Sequence, residues 1–155
     1  MATSSIPAAI DWLVATASDL AALAAPAAVY DGWPSGRADT ALVIGVTPDD
    51  AETGDIPVWA QVGAQTTWEQ VAIPCVIWAY RGGSTMKTAR DAAFAVLNAL
   101  DGMLRTDPTL GGAIHSGAAL LTNVRVMQTG NAPEAGEGRT CEIHFEIVYK
   151  SRSTA

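Results

Sequence analysis

The residues that most invite a chemical reading are Gly82-Gly83-Ser84-Thr85-Met86-Lys87-Thr88. They follow a strand-like run and open a helix-like one, the setting of a phosphate-binding loop. Such a loop needs G-x-x-x-x-G-K-[ST], because glycines let backbone N–H groups wrap the phosphates while lysine reaches the outer ones. Here Met86 stands where the second glycine belongs and Arg81 where the first does. The expectation is a fold element: Gly82 and Gly83 turn the chain, and Ser84 or Thr85 caps a helix.

Other candidates meet the same test. Asp49, Asp50, Glu52 and Asp55 suggest a calcium loop, but Ala51 and Thr53 occupy positions that should be ligands, so a solvated acidic loop is expected. Cys75 and Cys141 lie far apart on two strand-like runs with no CxxC or Cys/His spacing. They read as small buried hydrophobes in a reducing cytoplasm, with no metal. His115 and His144 have no cysteine or serine partner at a recognisable spacing, and no G-x-S-x-G elbow occurs. Glu142 and Glu146 share a strand face by alternation alone. The expectation is no catalytic residue, no cofactor, no metal and no enzymatic activity.

The elements around these residues are clearer than the residues themselves. From Ser5 to about Pro26, Ile6, Ile10, Leu13, Ala17, Leu20 and Ala24 recur at three- and four-residue steps, with Pro7 in the first turn. That is an amphipathic helix with an alanine-rich face suited to a sheet. Ala28 to Trp33 is short and extended, and Ala41 to Val46 is a continuous apolar run that predicts a strand covered on both faces. Thr47 to Thr67 shows no period, and such length is unusual in a compact domain. Val58 and Trp59 within it predict an interaction arm; the alternative is a flap folded back on its own sheet.

The chain centres on Trp68 to Arg105. In the strand WEQVAIPCVIWAYR, Val71, Ile73, Cys75, Ile77 and Ala79 take one side, and Trp68, Trp78 and Tyr80 the other. Pro74 cannot donate to a ladder, which predicts an edge position or a bulge. Helices are expected on the first face and a neighbouring subunit or the long loop on the second. The following helix presents Ala89, Ala93, Val96, Leu97, Leu100, Met103 and Leu104 as its buried stripe and stops at Asp107-Pro108. Leu120 to Gln128 is extended but alternates weakly. The loop at about 129–138 carries Glu134 and Glu137. Cys141 to Lys150 alternates apolar in and polar out with one exception at Val148, and a polar tail from Ser151 is expected to fray.

Composition sets the outer limits. The 155 residues are 49 % apolar and 16 % charged, about one domain with one sizeable core. A net charge of −7 disfavours gripping nucleic acid through its phosphates. Asp11 and Asp19 interrupt the alanine-rich start and argue against a signal peptide, and no long apolar run predicts a membrane span. A single domain over 1–155 is expected, without repeat or linker.

Several phrases taken together resemble the tail terminator family of long-tailed, siphovirus-type phages, in the form common among phages of actinobacteria. They are VYDGWP (Val29 to Pro34), LVIGV (Leu42 to Val46), AQVGAQTTWEQVAIPCVIWAYRGG (Ala60 to Gly83), ARDAAFAVL (Ala89 to Leu97) and DPTLGGAI (Asp107 to Ile114), after a short alanine-rich helix. The resemblance covers nearly the whole chain and contains no catalytic motif. It implies an α+β subunit: a mixed, mainly antiparallel sheet of four to five strands with two helices on one face. Such subunits form a hexameric ring that caps the tail tube, stops its growth and offers a surface to the head-side connector. DNA passes through the lumen without sequence-specific binding. The implied partners are further copies of the chain, the major tail tube protein and the head-closure protein, with no membrane. The implied location is the tail–neck junction of a virion made in the host cytoplasm. Candidate assembly contacts are Val58, Trp59, Trp68, Trp78, Tyr80, Glu134 and Glu137; Asp49, Asp50, Glu52 and Asp55 are the candidate acidic lumen or loop.

Overall fold

The structure, a computed structural model, describes residues 4–36, 38–45, 58–62, 66–83, 85–130 and 138–154. Two helices, α1 (Ile6–Ser18) and α2 (Met86–Thr106), accompany six strands: β1 (Ala28–Asp31), β2 (Thr40–Ile44), β3 (Val58–Val62), β4 (Thr66–Gly82), β5 (Leu120–Gly130) and β6 (Gly138–Thr154). The sheet runs β1-β2-β4-β6-β5, with β3 also paired to β4. Only β1 and β2 are parallel; every other pairing is antiparallel. This is the expected α+β architecture, with one strand more than expected.

The extra strand is β3. It lies in the segment that shows no period in the sequence and pairs Val58 to Val71 through Val62 to Thr67. The backbone of Val58 and Trp59 is therefore folded back on the chain's own sheet, which corrects the expectation of a free arm. Five residues, VWAQV, are too few for alternation to stand out, so the partner strand decides their state.

Helix α2 forms where the apolar period is strongest. All seven stripe residues from Ala89 to Leu104 are buried, while Lys87–Asp91 and Arg105–Asp101 pair one turn apart on the exposed side. The stripe lies on Val71, Ile73, Cys75, Ile77 and Ala79 of β4 and on Cys141, Ile143, Phe145, Ile147 and Tyr149 of β6. Burying Leu97, Leu100 and Leu104 contributes roughly 1.5–3 kcal/mol each before entropy is charged.

Helix α1 is shorter than its sequence period. It ends at Ser18, a single 3₁₀ turn follows at Ala21–Leu23, and its buried stripe is Ala9, Leu13 and Ala17, with Ile6, Ile10 and Leu20 half-buried beside it. Its other anchor is Trp12, whose ring lies against Gly111. At φ +66 with the indole in van der Waals contact, position 111 has no room for a Cβ.

Two expectations about strand ends are corrected. Pro74 sits in the centre of the sheet rather than at an edge. The Gly45 N–H donates to the Pro74 carbonyl (2.8 Å), so the imino nitrogen faces the same side, in the gap after β2 ends at Ile44 and before β3 pairs at Val71. Among the described residues no neighbouring strand asks for its missing donor there. The tail does not fray at Ser151 either. β4 offers a partner to every residue up to Thr154, Ser151 is buried, and its hydroxyl accepts from the His115 N–H (3.1 Å) while Arg152 N–H donates to the His115 carbonyl (2.8 Å).

Candidate assembly surface

Strand alternation divides the sheet into a helix-covered face and a far face. On β4 the far face carries Trp68, Gln70, Ala72, Val76, Trp78 and Tyr80; on β6 it carries Glu142, His144, Glu146, Val148, Lys150 and Arg152. Trp68, Trp78 and Tyr80 were expected to form one aromatic surface for a neighbouring subunit or the long loop. The structure splits that surface in two.

At the β1–β2 end the far face is sealed. Trp78 is 1 % exposed and packs with Ala41, Val43 and Val76 in a second, smaller core. Tyr30 stacks on it at 6.3 Å between centroids, and Trp33 lies tilted at 5.8 Å. The indole N–H donates to the Ala38 carbonyl (2.8 Å), and Ala38 N–H donates to the Tyr30 hydroxyl (3.1 Å). Trp78 is therefore a core residue, which corrects its place among the candidate assembly contacts. The covering segment lies some forty residues upstream, so the local strand pattern holds no sign of it.

At the other end the face is open. Trp68 is 39 % exposed, with the Arg152 guanidinium 5.8 Å from its ring centroid. Beside it a groove of about 370 Å³ runs between Trp68, Gln70, Leu120, Val148 and Lys150 and the Ser116–Ala118 connector. The groove has a mostly apolar lining with Lys150 as its one cation. Tyr80, also exposed, lies over Gly138, where any Cβ would strike the phenol. His144 lies on the face away from the helices and is buried, with Nε2 3.2 Å from Glu142 Oε2.

Strand β5 contributes the feature that sequence reasoning missed. It forms one end of the sheet and is exposed along most of its length, and Leu120, Val124, Val126 and Met127 all stand open there. A bulge between Thr122 and Arg125, with Asn123 at φ +53, shifts the alternation midway and explains why the strand alternates weakly. The available signal was eleven residues with one charge and no proline, unusual for a strand left at an edge.

Among the described residues, several of those weighed for chemistry have structural places, while Ser84 lies outside them. Gly83 makes the turn at φ +65, Thr85 precedes α2 in extended conformation, and Lys87 pairs with Asp91 rather than reaching back to the turn. Both thiols are free and buried; burial pushes Cys75 up to about 12, against a Gly45 backbone hydrogen bond that lowers it. Burial raises Cys141 as well. Among the described residues no group of three or more His, Cys, Asp or Glu is placed to hold a metal, and no helix is long and apolar enough to cross a membrane. A cleft of about 740 Å³ between the 3₁₀ turn, β2 and α2 is lined mostly by alanine; its one arginine, Arg81, donates to Thr40 Oγ1 (2.9 Å) and the Tyr80 carbonyl (2.7 Å).

One polar cluster joins elements distant in sequence. Glu69 Oε2 accepts from the Ser5 N–H (2.9 Å) and hydroxyl (2.7 Å), and that hydroxyl lies 3.1 Å from the Tyr149 hydroxyl. Ser5, at the N-terminus of α1, makes no side-chain cap bond and ties the start of the helix to β4 and β6. Burial pushes the Glu69 carboxyl up, but the hydrogen bonds from Ser5 and Ser4 outweigh it and leave its pKa lowered. Burial raises the Tyr149 phenol, with the Glu69 charge adding to it and the Ser5 bond opposing.

Of the other candidates, the side chains of Val58 and Trp59 lie outside the described residues, as do Asp49, Asp50, Glu52, Asp55, Glu134 and Glu137. No protein-family model matches the chain, and no curated protein matches it. Among solved structures it is similar to a chain of the virion of a native gene transfer agent particle, at 16 % identity over 92 % of both chains, with a TM-score of 0.44.

Proposed function

We propose that this chain is a structural subunit of a phage-type virion, a ring-forming tail terminator. In this role copies of the chain close into a hexameric ring on the end of the tail tube. The ring ends tube polymerisation and presents its other surface to the head-side connector at the tail–neck junction. The protein catalyses nothing, needs no cofactor, and lets DNA pass through the ring without specific contacts.

The observation that carries this reading is the one-sided sheet. Both helices cover one face, while the opposite face keeps an open groove beside Trp68 and the sheet ends in a long exposed strand. The family phrases in the sequence imply two helices on one face of a mixed sheet, and that is the architecture found. Open apolar surface on a folded domain is where protein contacts form. The net charge of −7 supports a pore that does not hold DNA.

The genetic test is tube length. Phage lacking the protein should build overlong tubes without heads. Tails of normal length beside unjoined heads would instead identify a connector of the neck.

A further inference from the structure

We infer that copies of this chain join edge to edge, β5 of one subunit pairing antiparallel with β1 of the next, so that the sheets continue across the interface. This rests on the reading of the chain as a self-assembling subunit and names the surface that does it.

The two strands are the opposite ends of the five-strand path, and among the described residues neither has a second partner. β1 is parallel to β2, and three antiparallel steps then lead through β4 and β6 to β5. β5 therefore runs opposite to β1, and a second copy set beside the first in the same orientation meets it antiparallel. The rows also agree. Met127, Glu142, Trp78, Ala41 and Ala28 form one row across the sheet; Val126, Ile143, Ile77, Leu42 and Val29 form the next; Arg125, His144, Val76, Val43 and Tyr30 the third. Without stagger, Met127 meets Ala28, Val126 meets Val29 and Arg125 meets Tyr30, each pair on a common face. Any stagger moves in steps of two, because a one-residue slip would exchange the faces.

Neither edge carries much that would keep a neighbouring strand away. Exposed strand edges are normally blunted by charges, prolines or covering elements. β5 carries only Arg125, and its open Val126 and Met127 would be covered by the neighbour. The sole charge on β1 is Asp31, one row from the Arg125 level and so on the opposite face of the joined sheet, where it does not meet Arg125. Joining unlike edges head to tail is the geometry from which rings close, whereas pairing β5 with β5 would stop at a dimer.

Cysteine cross-linking tests the pairing. Ala28→Cys is combined in one chain with Met127→Cys, or with Arg125→Cys or Thr129→Cys to sample the staggered registers. The protein is oxidised mildly at high concentration, with and without assembled tail tubes, then separated without reductant. A covalent ladder from one of these pairs, with each single variant remaining monomeric, is the expected result. Dimers from Met127→Cys alone would mean two-fold β5 pairing and overturn the inference. Assembly by light scattering without any ladder would also overturn it, leaving the ring reading intact. Monomer under every condition would overturn both.

Discussion

Trp68 and Trp78 occupy the same face of the same strand, ten positions apart, yet one is 39 % exposed and the other 1 %. Alternation gives both the same address. The difference comes from what crosses above them: Tyr30 and Trp33 seal Trp78, whereas the Ser116–Ala118 connector only borders the groove beside Trp68. A face is thus a property of the strand, but its cover is a property of the topology. One half of the far face stabilises the fold, and the other half is free for a partner.

Mutation can break this contrast. Trp78→Ala should cost roughly 3–5 kcal/mol, as truncation of a buried aromatic does. Urea or thermal unfolding would show it, and a loss below about 1 kcal/mol would mean that the second core does little. Leu100→Ala, beneath α2 on the other face, should cost roughly 2–5 kcal/mol and so place the small core beside the main one in importance. Glu69→Gln, at the partly exposed tie to Ser5, should cost about 1 kcal/mol after solvent screening. Because hydrogen bonds hold the folded-state pKa of Glu69 below the ordinary carboxylate value, its contribution is complete above that ordinary value and fades as pH falls through the folded pKa. Wild type and Glu69→Gln should therefore converge in stability on acidification, and a constant gap would contradict this. Trp68→Ala should have the smallest effect on unfolding, within about 0.5 kcal/mol, while weakening self-association or tube binding. Equal destabilisation at both tryptophans would erase the distinction.

How far the sequence carried depended on how local each signal was. The α2 stripe and the apolar faces of β4 and β6 were legible because helical and strand periods repeat over many residues. β3 was not, since five residues gain their state from β4, and neither was the cover on Trp78, which depends on a segment remote in the chain. Pro74 was read correctly as a missing donor and placed wrongly, because the gap between β2 and β3 exists only once both have paired. The candidate surface was half legible. Trp68 and Tyr80 were named from alternation, whereas the open edge of β5 required the strand order, which no local pattern encodes.

Negative-stain electron microscopy of the purified protein, alone and mixed with tail tubes, tests the ring most directly. Closed rings with a central hole, free or seated on tube ends, are the predicted images. Particles of single-subunit size in both samples, with bare tube ends, would contradict it.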